Sequence, residues 1–418
     1  MTAAPSDTRP ANASSDADLV VIGGGMAGGL LAALLADSGL QITLLDAGPE
    51  PVMPVGEPGL RVSAITEASR NMLQRAGAWQ RLPEQRRCAY TSMDVWDADG
   101  TGRVGFHATD AGAAQLGWII ENELIVAALY QSCAEKPNVD WRTAVPVEQV
   151  KKLADGWQVS LTSGATLRAP MLVGADGANS MVRQAAGIPA SPRDSGHVAI
   201  VACIESEQQH ADCARQRFIE SGPLALLPLY GDGHQLSIVW SLWPRAAEPL
   251  MKLGDDDFSR ALTDASEACL GTLRLLSKRV VFPVRELHAS DYVRSGMALI
   301  GDAAHVVHPL AGQGINLGLL DAGVLAEEML AARERGLPFH HDAALKRYQR
   351  RRRGHNLLMQ NAMRGFKLLF EQRSPLLRFV RNSGLSMVND VAPLKGMFAR
   401  QALGRGGDLP LTAKMEMS

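Results

Sequence analysis

The chain has 418 residues, of which 46% are hydrophobic and 21% charged, and its net charge is −2. This length allows two or three domains, and the composition is that of a globular protein without an apolar stretch long enough to span a membrane. The five cysteines are scattered and form no C-x-x-C pair, which argues against a disulfide framework and against a zinc or iron–sulfur site. Residues 1–16 are polar and lack a signal-peptide core, so we predict a disordered tail and a cytoplasmic protein.

A strand–helix–strand unit with a glycine-rich turn follows the tail. Residues 19–22 read as a buried strand, a helical pattern extends to about Ser38, and residues 41–45 form a second strand. The turn carries the G-x-G-x-x-G pattern at Gly23, Gly25 and Gly28. Asp46 ends the second strand, at the place where an acid can bind the ribose of an adenosine. The complete unit predicts a dinucleotide site, whereas a glycine turn that only packs would not explain the acid.

The nucleotide fold is then interrupted and resumes at residues 170–180, where a strand over 171–173 ends on Asp176 and Gly177. The elements predicted before this return are a helix near 64–75, alternating segments at 93–96 and 104–106, a helix over 121–134 and a hairpin over 145–153 and 156–161. A second, strand-rich interruption has predicted strands at 197–204, 215–219 and 235–242 and a helix over 255–270.

The run GDAAHVVHPLAGQGINLGLLD, residues 301–321, closes the nucleotide fold. A strand over 297–300 leads to Gly301 and Asp302, which places a carboxylate at the carboxyl end of the sheet. A loop and a helix from Ile315 follow. A carboxylate, a glycine-rich turn and a helix N-terminus therefore converge on a ligand that has hydroxyls to bind and an electron-rich edge to stabilise. A flavin has both.

These patterns predict a fold of class α/β plus α+β: a discontinuous Rossmann-like FAD-binding domain, an inserted mixed-sheet substrate domain and C-terminal helices. The predicted boundaries are a tail at 1–16, the FAD-binding domain at 17–80, 100–189 and 290–340, the substrate domain at 81–99 and 190–289, and the helical region at 341–418.

The segment 345–405 carries 14 Lys and Arg against two acids, and its apolar residues have helical spacing. Such a segment forms either a helical cap with a solvated basic face or a surface that binds an anionic membrane or an acidic partner. We expect no nucleic-acid binding, because no recognition motif accompanies the charge.

The three motifs in this order resemble those of the single-component flavin aromatic hydroxylases, which have the para-hydroxybenzoate hydroxylase fold. Gly23, Gly25 and Gly28 match the first motif, Asp176 and Gly177 the DG motif, and Gly301, Asp302 and Pro309 the GD motif. Strings such as LRVSAITEAS, MDVWDADG, LGWIIENELI and APLKGMFARQALGRGGDLP are similar to those of the ubiquinone-biosynthesis hydroxylases. They most resemble the bacterial 2-octaprenylphenol hydroxylase branch, with its sister branches as close competitors.

The resemblance implies a role for each matching residue. Asp46, where relatives often have Glu, would bind the adenosine ribose, and Arg61 the pyrophosphate or the flavin edge. Asn122 and Asp302 would lie at the ribityl chain, and Asp176 near the pyrophosphate and the nicotinamide approach. The residues that would line the flavin ring are Pro309, Gly312, Gln313, Gly314 and Asn316. The two loop histidines, His305 and His308, would serve either in proton transfer or as structural residues, and the catalytic group stays open.

The resemblance also implies the activity. An FAD-dependent monooxygenase would use NAD(P)H and O2 to hydroxylate the ring of a polyprenylated phenol or quinol through a flavin C(4a)-hydroperoxide, without a metal. NAD(P)H would bind transiently, because no second G-x-G-x-x-G follows a strand. The alternatives are a hydroxylase of a soluble aromatic acid and a flavin-bound accessory subunit of a ubiquinone-synthesis complex. Other ubiquinone-biosynthesis proteins and the inner membrane face are the expected partners of the basic helices.

Overall fold

The computed structural model describes residues 15–98, 102–307, 314–371 and 403–414. Its helices are α1 (Met26–Leu35), α2 (Glu67–Arg75), α3 (Asn122–Ala134), α4 (Met181–Ala185), α5 (Pro244–Lys252), α6 (Asp255–Ala265), α7 (Gly314–Glu334) and α8 (Asp342–Glu371). Its strands are β1 (Ser15–Asp16), β2 (Leu19–Ile22), β3 (Ile42–Leu45), β4 (Val62–Ile65), β5 (Cys88–Tyr90), β6 (Ser92–Asp97), β7 (Arg103–His107), β8 (Gly117–Glu121), β9 (Val139–Arg142), β10 (Val147–Lys152), β11 (Trp157–Leu161), β12 (Thr166–Ala169), β13 (Met171–Gly174), β14 (Ala190–Ser206), β15 (Cys213–Ile219), β16 (Gly222–Pro228), β17 (Gln235–Leu242), β18 (Leu273–Leu275), β19 (Val280–Ala289), β20 (Val293–Arg294), β21 (Met297–Leu299) and β22 (His305–Val306).

A six-stranded sheet in the order β20-β21-β13-β2-β3-β9 forms the centre of the nucleotide-binding part. Its strands are parallel except for β20 at the edge. The strands β2, β3 and β13 are buried along their whole length, because α1, α3 and α7 and the four-stranded sheet β1-β12-β11-β10 contribute to the same core. The carboxyl ends of β2, β13 and β21 are neighbours, so the three sequence motifs meet at one edge.

A nine-stranded sheet, β22-β19-β14-β17-β16-β15-β6-β7 with β18 beside β14, forms the second part. Side chains alternate between its two faces with a period of two. On one face Leu224 and Trp240 pack with Phe258 of α6, so Trp240 is a core residue rather than part of a substrate lining. On the other face Ala225 and Leu227 pack against the three-stranded sheet β4-β8-β5.

Three predicted boundaries are wrong. Residues 103–107 form β7, which pairs with β6 in the nine-stranded sheet and so does not belong with the nucleotide-binding strands. The predicted helix near 64–75 begins only at Glu67, because Val62–Ile65 pairs with β8 and Thr66 caps the helix through the N–H of Ser69. The helix predicted over 255–270 ends at residue 265, because the chain turns through positive φ at Glu267 and Ala268.

Several arginines of α8 form ion pairs within the protein. Arg347 pairs with Glu328 at 2.7 Å, and Arg351 pairs with Glu327 at 2.7 Å and with Asp408 at 2.7 Å. The helical cap therefore uses part of the basic charge internally. Residues 372–402 of the basic segment lie outside the described residues, and the membrane or partner surface stays a prediction. Within the described ranges, we find no helix with the length and hydropathy needed to cross a bilayer.

Candidate functional site

Two of the three motif glycines pack the turn after β2 against neighbouring backbone. Gly23 has a φ of 109°, and a Cβ at this position would lie 2.2 Å from the carbonyl oxygen of Ala175. A Cβ at Gly28 would lie 2.0 Å from the carbonyl oxygen of Gly23. Neither position has room for a side chain, and the two glycines hold β2, α1 and the loop after β13 together.

Gly25 is different, because no atom of the described residues lies within 4 Å of the position that its Cβ would take. It is exposed, it immediately precedes the first turn of α1, and no side chain caps that turn. The N–H groups of a helix N-terminus attract anions, and this one adjoins open space. The space and the donors fit the pyrophosphate of a dinucleotide.

Asp46 follows β3 and binds the glycine turn through its carboxylate. Its Oδ2 accepts a hydrogen bond from the N–H of Gly24 at 2.5 Å, and its Oδ1 accepts one from the N–H of Gly48 at 2.6 Å. The indole of Trp141 packs beside Gly24, and its buried Nε1–H has no partner among the described residues. An acid and an unpaired donor thus adjoin the turn, which fits the adenosine end of FAD. Trp141 had no sequence signal, because β9 reaches β3 only through the fold.

Asp176 has a structural contact that the motif alone did not indicate. Its Oδ2 accepts hydrogen bonds from the N–H groups of Met181 at 2.7 Å and Val182 at 3.1 Å, at the start of α4. Its buried Oδ1 has no partner within the described ranges, so one oxygen is available to a ligand. Gly177 has a φ of 79°. The role of Asp176 near the pyrophosphate and the nicotinamide approach stays a proposal.

Arg183 of α4 joins the second motif to the third, and sequence patterns did not reveal it. Its Nη1 donates to the carbonyl oxygen of Ala303 at 2.8 Å, and its Nη2 donates to that of Ala178 at 2.7 Å. Burial lowers the pKa of Arg183, and the charge of Asp176 opposes this effect. The buried guanidinium therefore fixes the DG loop to the turn that carries Asp302.

Asp302 lies in the short turn that follows β21. Surrounding protein removes much of its hydration and so raises its pKa, while the charges of His305 and Arg61 act in the opposite direction. The side chain is nevertheless exposed to solvent, and it makes no hydrogen bond to any residue that the structure describes. A solvent-accessible carboxylate without a partner among the described residues is suited to accept hydrogen bonds from the hydroxyls of a ligand.

Arg61 and Asn122 lie at the junction between the two parts of the protein. The guanidinium of Arg61 lies over the ring of Phe282 in β19, 5.4 Å from its centroid. The N–H of Asn122 donates to the carbonyl oxygen of Arg61 at 2.9 Å, and its Oδ1 accepts from the hydroxyl of Ser63 at 2.7 Å. Arg61 is exposed and close enough to influence Asp302, which fits the proposed contact with FAD.

The turn at Gly301 and Asp302 is held by a buried group of side chains that we call the Asp321 network. The Oδ2 of Asp321 accepts from the N–H of Gly301 at 3.1 Å and lies 2.5 Å from the Nε2 of His305. Its Oδ1 accepts from the Nε of Arg352 at 2.8 Å and from the Nδ2 of Asn356 at 3.0 Å. Burial raises the pKa of Asp321, but the charges of His305 and Arg352 outweigh it, so the pKa is lowered. His305 is only 2% exposed and contacts this carboxylate, which favours a structural role, and its part in proton transfer stays a prediction.

The start of α7 is tied to the end of β4. Asn316 donates from its Nδ2 to the carbonyl oxygen of Ala64 at 2.7 Å and accepts from the N–H of Thr66 at 3.1 Å. Gly314 begins the helix. Four predicted site residues lie outside the described residues: His308, Pro309, Gly312 and Gln313. The contacts of Gly314 and Asn316 with a flavin ring stay a proposal.

Replacing Gly25 by valine is expected to remove FAD binding without unfolding the protein. The new side chain has room in the protein and a favourable φ of −74°, but it fills the space in front of α1. Thermal unfolding should shift by no more than about 1–2 °C. The flavin absorbance of the purified variant, together with its melting temperature, checks this expectation.

Gly105→Val on β7 is the matched control, because a Cβ at Gly105 also has no neighbour within 4 Å in the part of the chain that the structure describes. It should retain FAD. Gly28→Val, by contrast, should fail to fold, because its Cβ would overlap the backbone of Gly23. If Gly25→Val retained FAD as fully as the wild type, the pyrophosphate could not lie at this turn.

Together the site combines a helix N-terminus for a pyrophosphate, an acid beside it, and an exposed carboxylate at the junction with an apolar sheet. This arrangement is that of a dinucleotide-binding flavoprotein. Residues 16–362 match the family model described as FAD binding domain.

Curated relatives agree over almost the whole chain. The 3-demethoxyubiquinol 3-hydroxylase of Escherichia coli is 34% identical, over 93% of this chain and 98% of the relative. The ubiquinone hydroxylase UbiL of Rhodospirillum rubrum is also 34% identical, over 96% of this chain and 93% of the relative. Among solved structures, p-nitrophenol 4-monooxygenase PnpA of Pseudomonas putida has the same fold, with a TM-score of 0.76, 19% identity and coverage of 93% and 98%.

The chain belongs to the FAD-binding-domain family of flavoprotein monooxygenases and, within it, to the ubiquinone-biosynthesis hydroxylases. The predicted family, fold class and cofactor are thereby confirmed. The branch within the family stays a prediction.

Proposed function

We propose that the protein adds one hydroxyl group to the ring of a polyprenylated phenol or quinol. The balanced reaction consumes the phenol, O2, NAD(P)H and a proton, and it yields the ring-hydroxylated product, water and NAD(P)+. Bound FAD would supply the electron transfer from NAD(P)H and the activation of O2, while the protein binds, orients and excludes water.

The relatives carry this proposal, because proteins 34% identical over 93% and 96% of this chain are named 3-demethoxyubiquinol 3-hydroxylase and ubiquinone hydroxylase UbiL. The contact between the three-stranded sheet and the nine-stranded sheet is also apolar: Ala64 and Ile119 lie on one side, and Ala225 and Leu227 on the other. Apolar surroundings of this kind favour an uncharged substrate over a charged one.

The same apolar contact between the sheets argues against a soluble aromatic acid as the substrate. Arg215 is the only charged residue along the described lining. Its Nη1 donates to the carbonyl oxygens of His210 at 2.9 Å and Cys213 at 3.2 Å, so the guanidinium is already engaged by backbone. A substrate carboxylate would therefore be buried without a cation to pair with it, at a considerable cost in free energy.

In this proposal, different residues bind different parts of FAD. The start of α1 and Asp46 would bind the pyrophosphate and adenosine, and Asp302 the ribityl chain. The Asp321 network would keep the turn of Asp302 in position. Because α7 begins beside this turn, its N-terminus would stabilise negative charge on the flavin ring.

Product analysis in bacterial strains that each lack one ubiquinone ring hydroxylase tests the proposal. Expression of the wild-type protein is expected to restore ubiquinone in one strain, and the restored position identifies the ring carbon. If the protein accumulated with FAD and restored none of the strains, the proposal that its substrate belongs to ubiquinone biosynthesis would be contradicted. A soluble aromatic acid or an accessory role would then be the better account.

A further inference from the structure

The loop between β3 and β4 joins the two halves of the proposed FAD site, and a buried ion pair holds this loop in place. Asp46 begins the loop, residues 46–61, and Arg61 ends it. The ion pair consists of Arg86, which is 6% exposed, and Glu121, which is 1% exposed. Neither of these two side chains is among those that would contact FAD. We call the pair the Arg86 clamp.

The two charged groups of the Arg86 clamp meet side by side. The Nε of Arg86 donates to Oε1 of Glu121 at 2.9 Å, and its Nη2 donates to Oε2 at 2.7 Å. Two parallel hydrogen bonds between a guanidinium and a carboxylate fix the direction of both groups. Because both side chains are buried, salt and water screen this pair much less than they screen a pair at the surface.

The clamp also binds the backbone of the loop. The Nη1 of Arg86 donates to the carbonyl oxygen of Pro54 at 2.7 Å. The Oε2 of Glu121 accepts a hydrogen bond from the N–H of Gly59 at 2.6 Å. Gly59 lies two residues before Arg61. The clamp therefore fixes the path of the chain immediately before the arginine that would contact FAD.

The nine-stranded sheet holds the loop from its other side. The guanidinium of Arg86 lies over the ring of Tyr230, 5.1 Å from its centroid. The hydroxyl of Tyr230, just after β16, donates to the carbonyl oxygen of Gly56 at 3.4 Å. Arg61 lies over Phe282 of the same sheet. Contacts from both parts of the protein therefore set the position of this loop.

We propose that Arg86 is a positioning residue for FAD: paired with Glu121, it holds the loop so that the guanidinium of Arg61 faces the flavin half of the cofactor. The inference rests on the FAD contact proposed for Arg61 and adds the group that orients this contact. Arg61 is exposed and near Asp302, whereas Asp46 binds the glycine turn at the adenosine half. Because a free loop would have to become ordered when FAD binds, the clamp lowers the entropy cost of binding.

Two ligands and one double variant test this assignment. The ligands are FAD and AMP, which has the adenosine half alone, and both are titrated into full-length apoprotein by isothermal titration calorimetry. The variant Arg86→Met/Glu121→Leu replaces both charges at once, because removal of one partner would leave the other charged and buried. It is expected to bind FAD roughly tenfold less tightly than the wild type, while the dissociation constant for AMP stays unchanged.

Two further measurements separate positioning from general damage. Arg217→Met is the matched control, because Arg217 of β15 also binds a carboxylate, that of Glu267 at 2.6 Å, and a carbonyl oxygen, that of Ala265 at 2.6 Å. It should bind both ligands as the wild type does. Arg61→Met should itself weaken FAD binding roughly tenfold. If Arg86 acts through Arg61, adding the double replacement to Arg61→Met should cause little further loss, because changes within one interaction are not additive.

The inference would be overturned by equal losses for FAD and AMP, by wild-type affinity for FAD in the double variant or in Arg61→Met, or by fully additive losses in the combined variant. If the double variant did not fold, Arg86→Lys decides, because lysine keeps the charge opposite Glu121 but cannot also reach Pro54. A loss confined to FAD would then support the inference, and any other result would overturn it. None of these measurements involves the ring substrate, so a failure of the proposed hydroxylation would leave the inference standing.

Discussion

Asp321→Ala is expected to lower the free energy of unfolding by about 3–5 kcal/mol. The substitution leaves Arg352, which is 1% exposed, as a buried cation without its carboxylate. It also removes the acceptor for His305 and for the N–H of Gly301. Chemical denaturation of the FAD-loaded protein measures the change.

A compensating double variant makes the physical reason testable. Replacing a whole buried ion pair by apolar residues is often far less costly than removing one partner. Asp321→Leu combined with Arg352→Met should therefore be more stable than Asp321→Leu alone. If the single variant unfolded at the wild-type denaturant concentration, the network would not hold the turn of Asp302 as the structure indicates.

Asp302→Ala is expected to weaken FAD binding by roughly 10- to 100-fold, with little effect on the stability of the apoprotein. Hydrogen bonds to a charged group contribute about 1.5–3 kcal/mol each, and the loss of even one accounts for such a change. The side chain is exposed and has no hydrogen bond within the described residues, so the fold does not depend on it. Titration of apoprotein with FAD, followed by flavin fluorescence, gives the dissociation constant.

Asp256→Ala removes one exposed carboxylate from α6, in the other part of the protein, and is the control for loss of charge. It should bind FAD as the wild type does. Asp302→Asn keeps an acceptor oxygen and should have intermediate affinity. Wild-type affinity in Asp302→Ala would remove this carboxylate from the cofactor site.

The local parts of the fold were predictable from the sequence because their signals are local. The strand over 19–22 and the glycine turn are found as predicted, since a short apolar run followed by G-x-G-x-x-G has few other structures open to it. The strand Val62–Ile65 was not predicted, and its last residues were assigned to the following helix. The cap formed by Thr66 and the N–H of Ser69 marks the true start of that helix. A short apolar run before a helix fits either state, and its pairing with β8 decides between them.

The non-local parts could not be predicted in the same way. His305, Asp321 and Arg352 come from β22, α7 and α8, and only the packing of these elements brings the charges together. His305 therefore looked equally suited to catalysis and to structure.

The most direct test of the account is turnover of purified, FAD-loaded protein with a short-chain prenylphenol, NAD(P)H and 18O2. We expect a ring-hydroxylated product that carries one labelled oxygen atom, formed in step with the oxidation of NAD(P)H. If NAD(P)H were oxidised while the phenol remained unchanged and all of the oxygen appeared as hydrogen peroxide, the proposed hydroxylation would be contradicted.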